Sequence, residues 1–153
     1  MKTKIDFKKI LQEYGLENNV VIFDNSTKTA QEAADQIGVE IGQIGKSIIL
    51  KLNNEPILVI TSGKNKVSLE KLEKLVGKGI EKAEADFVYE KTGFSIGGVP
   101  PFGHKEKIEH IFLDEDLLNY QEIWCAAGTP FSVFKISPQR LIEITQAKIR
   151  KIN

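Results

Sequence analysis

The chain has 153 residues, 41% hydrophobic and 27% charged, with 21 basic against 21 acidic side chains and a formal net charge of zero. The length suits one domain spanning residues 1–153 with a core of its own, and the composition is that of an ordinary globular protein. Charge balance argues against a protein that coats DNA or RNA non-specifically, because such binding rests on phosphate neutralisation.

Cys125 is the single cysteine, so an internal disulfide is excluded; a reducing, cytoplasmic setting fits that usage. The charged start Met1-Lys2-Thr3-Lys4 leads into no apolar segment, so no signal peptide is expected. No apolar run approaches the roughly 18–20 residues needed to cross a bilayer.

In chain order, Ile5, Phe7, Ile10, Leu11 and Tyr14 recur at helical spacing and Gly15 stops the run. The β-branched run at 20–23 predicts a strand. Thr29 and Glu32 have capping-box spacing ahead of a helix over 30–37, which Gly38 ends. Apolar runs at 46–52 and 56–61 flank Asn53-Asn54-Glu55, a hairpin signal. Ser68 caps a helix carrying Leu69, Leu72, Leu75 and Val76, stopped by Gly77. A short helix is predicted over 85–91. The segment 94–103 holds three glycines and two prolines, a density that no regular element tolerates. Strands are predicted at 108–113, 122–126 and 131–136. Ser137-Pro138 reads as an N-cap with proline at the first helical position of a last helix, and 147–152 reads as an edge strand. The elements mix without regular βαβ alternation, so the expected fold is a single α/β domain with a mixed sheet of six or seven strands flanked by helices.

Much catalytic chemistry is missing. His104 and His110 are the two histidines and lack helical metal-site spacing, and no His-Cys grouping exists, so no metal and no cofactor are expected. There is no nucleophile elbow and no phosphate-binding P-loop. Cys125 sits in the apolar run Ile123-Trp124-Cys125-Ala126, where a buried inert thiol is the ordinary outcome. An enzyme built this way would work by positioning and electrostatics on a substrate already prone to hydrolysis, such as an aminoacyl ester.

Two stretches stand out. In Gly45-Lys46-Ser47 a lysine opens an apolar strand beside a glycine. Such a lysine either snorkels to water or places a cation in a cleft to meet a phosphate or an oxyanion. In Gly97-Gly98-Val99-Pro100-Pro101-Phe102-Gly103-His104 the glycines expose main-chain groups and the prolines fix the loop. The loop is either a tight structural turn or a main-chain cradle for a carbonyl or ribose hydroxyl. His104 is either an acid/base group or a surface residue.

Lysine opening a strand, the run from Thr92-Gly93 through Gly97-Gly98 to Gly103-His104, and Ala127-Gly128-Thr129-Pro130 before a strand together resemble the YbaK-like aminoacyl-tRNA editing family. That family comprises free-standing prolyl-tRNA editing deacylases and the editing domain of bacterial prolyl-tRNA synthetases. The resemblance covers residues 20–150. It implies hydrolysis of mischarged aminoacyl-tRNA, a small amino acid on tRNA(Pro). It further implies Lys46 as the essential lysine and Gly97 and Gly98 as main-chain donors to the ester or ribose. Phe23, Ser47, Val99, Pro100, His104, Gly128 and Thr129 would line the substrate pocket. Where the cysteine-specific branch carries a serine and an aspartate, Ala126 and Val133 stand here, which implies a more apolar pocket.

The partner implied is the aminoacylated 3′ end of tRNA, with a synthetase as a second candidate and neither DNA nor membrane. Two other readings share the cleft: a non-catalytic aminoacyl-tRNA or synthetase-binding module, and a hydrolase of small aminoacyl or nucleotide esters. Lys64, Lys66, Lys105 and Lys107 form either a local phosphate patch or an ordinary solvated surface.

Overall fold

The periodic segments of the sequence assemble as expected in a computed structural model that describes residues 5–25 and 29–153. The charged start at residues 1–4 lies outside the described residues. Among the described residues five α-helices form: α1 (Phe7–Glu13), α2 (Ala30–Ile37), α3 (Leu69–Val76), α4 (Ala85–Thr92) and α5 (Pro138–Thr145). The same residues form eight strands: β1 (Val20–Ile22), β2 (Ile44–Leu52), β3 (Glu55–Ser62), β4 (Glu81–Lys82), β5 (His110–Asp114), β6 (Ile123–Ala126), β7 (Ser132–Ile136) and β8 (Lys148–Arg150).

Local chemistry sets the boundaries. Thr29 Oγ1 accepts the Glu32 amide at 3.1 Å and donates to the Glu32 carboxylate at 3.2 Å, which starts α2. Ser68 and Ser137 accept from the N3 amides of α3 and α5. Asn53 and Asn54 both take positive φ, 52° and 65°, as a two-residue type I′ hairpin turn requires, and Leu52 pairs with Glu55.

The strands make one mixed sheet in the order β1-β7-β6-β2-β3-β5-β8, with β4 paired to β2 off that path. The two-residue β4 is the strand beyond the expected six or seven; it is too short to carry an alternation. β3 lies at the centre and is buried on both faces. Leu58 and Ile60 join a cluster with Phe7, Leu11, Phe102, Phe134 and Leu141, while Ile57 and Val59 join Leu50, Leu72, Phe112 and Ile152 on the other side. Its continuous apolar run follows from that double burial. A smaller cluster packs Ala30, Ala33 and Ala34 of α2 on Ile44, with Trp124 beside it.

One detail of register positions the site. β3 pairs with β2 along residues 45–52, and the opposite edge of β2 is shared. β6 takes Ile44 and Gly45, and β4 takes Leu50 and Lys51. Between them, residues 46–49 have β3 on one side and no strand on the other. Gly45 makes the β6 contact possible, since a Cβ there would sit 3.0 Å from Cys125 Sγ.

Candidate functional site

The gap in the sheet is a cleft. Lys46, Ser47 and Ile48 from β2 and Ile96, Gly97 and Val99 from the glycine-proline loop line both of its lobes. The smaller lobe, about 200 Å³, adds Thr29, Ala30, Ala33, Trp124, Ala126, Ser132 and Val133. The larger, about 400 Å³, adds Thr61, Asn65, Lys66, Leu69, Lys82, Ala83 and Val88 among others.

Lys46 is exposed and makes no ion pair among the described residues, so its ammonium is available to a ligand. Ser47 Oγ is buried and has no hydrogen-bond partner. An orphan buried hydroxyl costs about 1–3 kcal/mol unless something satisfies it, and this one belongs to a residue lining both lobes. Ile96 is 59% exposed, an unusual state for isoleucine, and it too lines both lobes.

The loop divides its labour differently from the sequence expectation. Gly97 takes φ +95° and faces the lobes. The Gly98 amide instead donates to the Ser95 carbonyl at 2.9 Å, so it is not free for a substrate. Gly98 lies against the Thr129 backbone: a Cβ there would stand 2.8 Å from Thr129 Cα and 2.9 Å from its carbonyl carbon. Its job is close approach. Val99 is buried and lines both lobes, whereas Pro100 is buried behind it.

His104 also differs from expectation. Its Nε2 donates to the Pro100 carbonyl at 2.7 Å, which ties the end of the loop to its middle. Burial pushes its pKa below the usual histidine value, opposed by that hydrogen bond. His104 is therefore a neutral loop staple, and it lines neither lobe. Gly128 and Thr129 face a separate cavity with Phe7, Gly93 and Phe94. Thr129 Oγ1 accepts from the Phe131 amide at 3.1 Å and shares a 2.9 Å hydrogen bond with Ser132, fixing the turn that brings Ser132 to the smaller lobe. Phe23 is buried, its amide donates to the Phe131 carbonyl, and it lines neither lobe.

Ala126 and Val133 are cross-strand neighbours on β6 and β7, and both line the smaller lobe. Of the four lysines considered as a phosphate patch, Lys66 reaches the cleft, and Lys107 lines a distant cavity beside His110. Cys125 lies at the back of Gly45, fully buried, and burial pushes its thiol up to about 12, which leaves it without nucleophilic character at neutral pH.

Sequence reasoning missed Asp114. It is fully buried at the end of β5 and accepts from the Ser62 amide at 2.9 Å, Asn65 Nδ2 at 2.9 Å and Thr61 Oγ1 at 3.3 Å. These bonds pin the β3 end and the turn that carries Lys66 to the cleft. Among the described residues no group of three or more His, Cys, Asp or Glu could hold a metal ion, and no helix is long and apolar enough to cross a membrane.

Known proteins share this architecture. The model of the aminoacyl-tRNA editing domain family matches residues 24–144. A Bacillus subtilis protein of uncharacterised function, YwhH, is 31% identical over 138 residues, which is 90% of this chain and 87% of that protein. The proline–tRNA ligase of Maridesulfovibrio salexigens is 34% identical over 101 residues, 65% of this chain but 17% of the ligase, so the chain spans only a small part of such synthetases. A solved structure described as a candidate trans-editing enzyme for prolyl tRNA synthetase superposes with a TM-score of 0.89 at 38% identity, covering 99% of both chains. With the family match spanning most of the chain and the fold shared end to end, the chain belongs to the aminoacyl-tRNA editing domain family, the YbaK-like group related to the editing region of prolyl-tRNA synthetases.

Proposed function

We propose that the protein is a trans-acting deacylase that hydrolyses a small amino acid from mischarged tRNA, with tRNA(Pro) as the carrier. The observation that carries this reading is the convergence of the unpaired Lys46 ammonium, the orphan Ser47 hydroxyl and the Gly97 main chain on one cleft at the gap in the sheet. The smaller lobe takes the aminoacyl side chain. Its apolar lining by Ala30, Ala33, Ala126 and Val133 suits a short neutral group.

In this reading a water adds to the ester carbonyl held beside Gly97. Charge developing on the carbonyl oxygen meets the Lys46 ammonium and main-chain N–H. The ester C–O bond then breaks, the ribose oxygen takes up a proton, and free amino acid and uncharged tRNA leave. No covalent intermediate is needed; orientation and electrostatics supply the rate.

The test is deacylation of tRNA(Pro) charged separately with alanine, cysteine, serine and proline. Rapid loss of one small mischarged residue with proline spared is the expected result. Tight binding of every species with no hydrolysis would replace the deacylase by a binding module. Hydrolysis of simple aminoacyl esters with indifference to tRNA would assign a small-ester hydrolase.

A further inference from the structure

Asp114 is a fully buried acid that the proposed reaction does not use. It makes no ion pair among the described residues, and a buried carboxylate without a cation is costly. The groups hydrogen-bonded to it all donate: the Ser62 and Asp116 amides, Asn65 Nδ2 and Thr61 Oγ1. Thr61 is 2% exposed and yet lines the larger lobe of the cleft. Register puts it beside Lys46. The two residues are direct partners across β2 and β3, and such partners share a face with their Cβ atoms about 5 Å apart. Val59 pairs with Phe112 and Ile60 with Leu113, so Thr61 and Asp114 come next in step on β3 and β5. Lys46, Thr61 and Asp114 therefore form a row across three adjacent strands, on the face where Leu50, Val59 and Phe112 pack.

A threonine hydroxyl has one proton to give and two lone pairs. The hydrogen-bond neighbours of Thr61 Oγ1 are both acceptors, Asp114 Oδ2 at 3.3 Å and the Ser62 carbonyl at 3.4 Å. Its proton is spent between them, so it offers the cleft only lone pairs. The Lys46 ammonium is the converse, three N–H donors and no acceptor. We propose that Thr61 is a positioning residue for Lys46: its hydroxyl, held as a donor toward Asp114, accepts from the Lys46 ammonium and fixes where that charge sits in the cleft. The remaining N–H groups of the ammonium then face the ester oxygen. A lysine ammonium rides on a flexible four-carbon stem, and one hydrogen bond to a buried, fixed acceptor narrows its positions to those that serve the reaction. Thr61 acts through Lys46 and does not touch the substrate. The proposal rests on the deacylase reading for the reaction that Lys46 serves.

The experiment is a double-mutant cycle on Thr61 and Lys46. Single-turnover deacylation is followed over a range of enzyme concentrations, which separates the maximal rate from half-saturation. The substrate is tRNA(Pro) carrying whichever small amino acid wild type removes fastest. Thr61→Val keeps the side-chain shape and loses the hydroxyl. Its maximal rate should fall about 10-fold, the effect of losing one hydrogen bond to a charged group, with half-saturation unchanged. Thr61→Ser keeps the hydroxyl and should restore most of the rate. In a Lys46→Ala background, Thr61→Val should cost less than about twofold more, because the group it positions is gone. A wild-type rate in Thr61→Val would overturn the proposal. So would a serine variant as slow as the valine one, which would make the effect packing. An undiminished 10-fold loss in the Lys46→Ala background would also overturn it, since Thr61 would then act without Lys46. In all three cases wild-type hydrolysis leaves the deacylase reading standing. A wild type that hydrolyses no charged tRNA would overturn that reading and this proposal together.

Discussion

Replacing Gly98 with alanine puts the loop geometry to a quantitative test. Gly98 is not among the glycines with positive φ, so an added methyl brings no backbone strain and acts only through contact. The new Cβ would meet Thr129 Cα at 2.8 Å, its carbonyl carbon at 2.9 Å and its nitrogen at 3.0 Å, all rigid main-chain atoms, where ordinary contact begins at 3.4 Å. The loop must move by about 0.6 Å or the Thr129 turn must yield, an overpacking cost of about 1–3 kcal/mol. Gly97 is the next residue and moves with it. A displacement approaching 1 Å at a reacting centre costs up to about 100-fold in rate, so deacylation should fall by roughly 10- to 100-fold. The assays are urea unfolding and single-turnover deacylation. Gly15→Ala is the comparison: Gly15 has φ +70° and nothing within 4 Å of an added Cβ, so it should lose about 1–2 kcal/mol from left-handed backbone strain and keep full activity. A Gly98→Ala protein with wild-type stability and rate would refute the claim that the loop is held against Thr129.

Two further perturbations probe the supports. Asp114→Ala strips the acceptor from four groups, Ser62 N–H, Asp116 N–H, Asn65 Nδ2 and Thr61 Oγ1; urea unfolding should show a loss of at least about 2 kcal/mol, given about 1–3 kcal/mol per buried donor left unpaired. His104 has its pKa lowered from 6.5 in the fold, so the unfolded chain takes up its proton first as pH falls. Stability contributed by neutral His104 is full above pH 6.5 and is lost as pH drops through the lowered folded value, with a slope of at most about 1.4 kcal/mol per pH unit. Thermal melts from pH 8 to 5 should therefore fall more gently in His104→Asn than in wild type, and identical profiles would remove His104 as a staple.

The parts of the fold that were legible in sequence are those fixed by local chemistry. Thr29, Ser68 and Ser137 each cap the helix they precede, and the Asn53-Asn54 pair turns the hairpin. β4 was not legible, because two residues carry no period and the strand exists only by pairing with Leu50 and Lys51. The site followed the same division. Lys46, Ser47, Gly97 and Val99 could be named because each lies in one of two unusual local stretches, and the fold brings those stretches together. Asp114 was missed because its acceptor role is written 52 and 49 residues away, in Ser62 and Asn65. Lys82 was missed because a lysine between two glutamate-bearing segments looks like any solvated surface. His104, Gly98 and Thr129 were assigned to the pocket by their place in the motif, and the structure uses them behind it, to hold the loop and the facing turn in place.

The most direct test of the account is single-turnover deacylation of mischarged alanyl-tRNA(Pro) by wild type and Lys46→Ala, with thermal melting of both. Lys46 is exposed and unpaired among the described residues, so the melting temperature should be unchanged, while the rate should fall by about 100-fold or more, the size of effect expected when one positioned electrostatic donor is removed. A Lys46→Ala protein that melts with wild type and hydrolyses the ester at the wild-type rate would contradict the claim that this cleft is where the reaction happens.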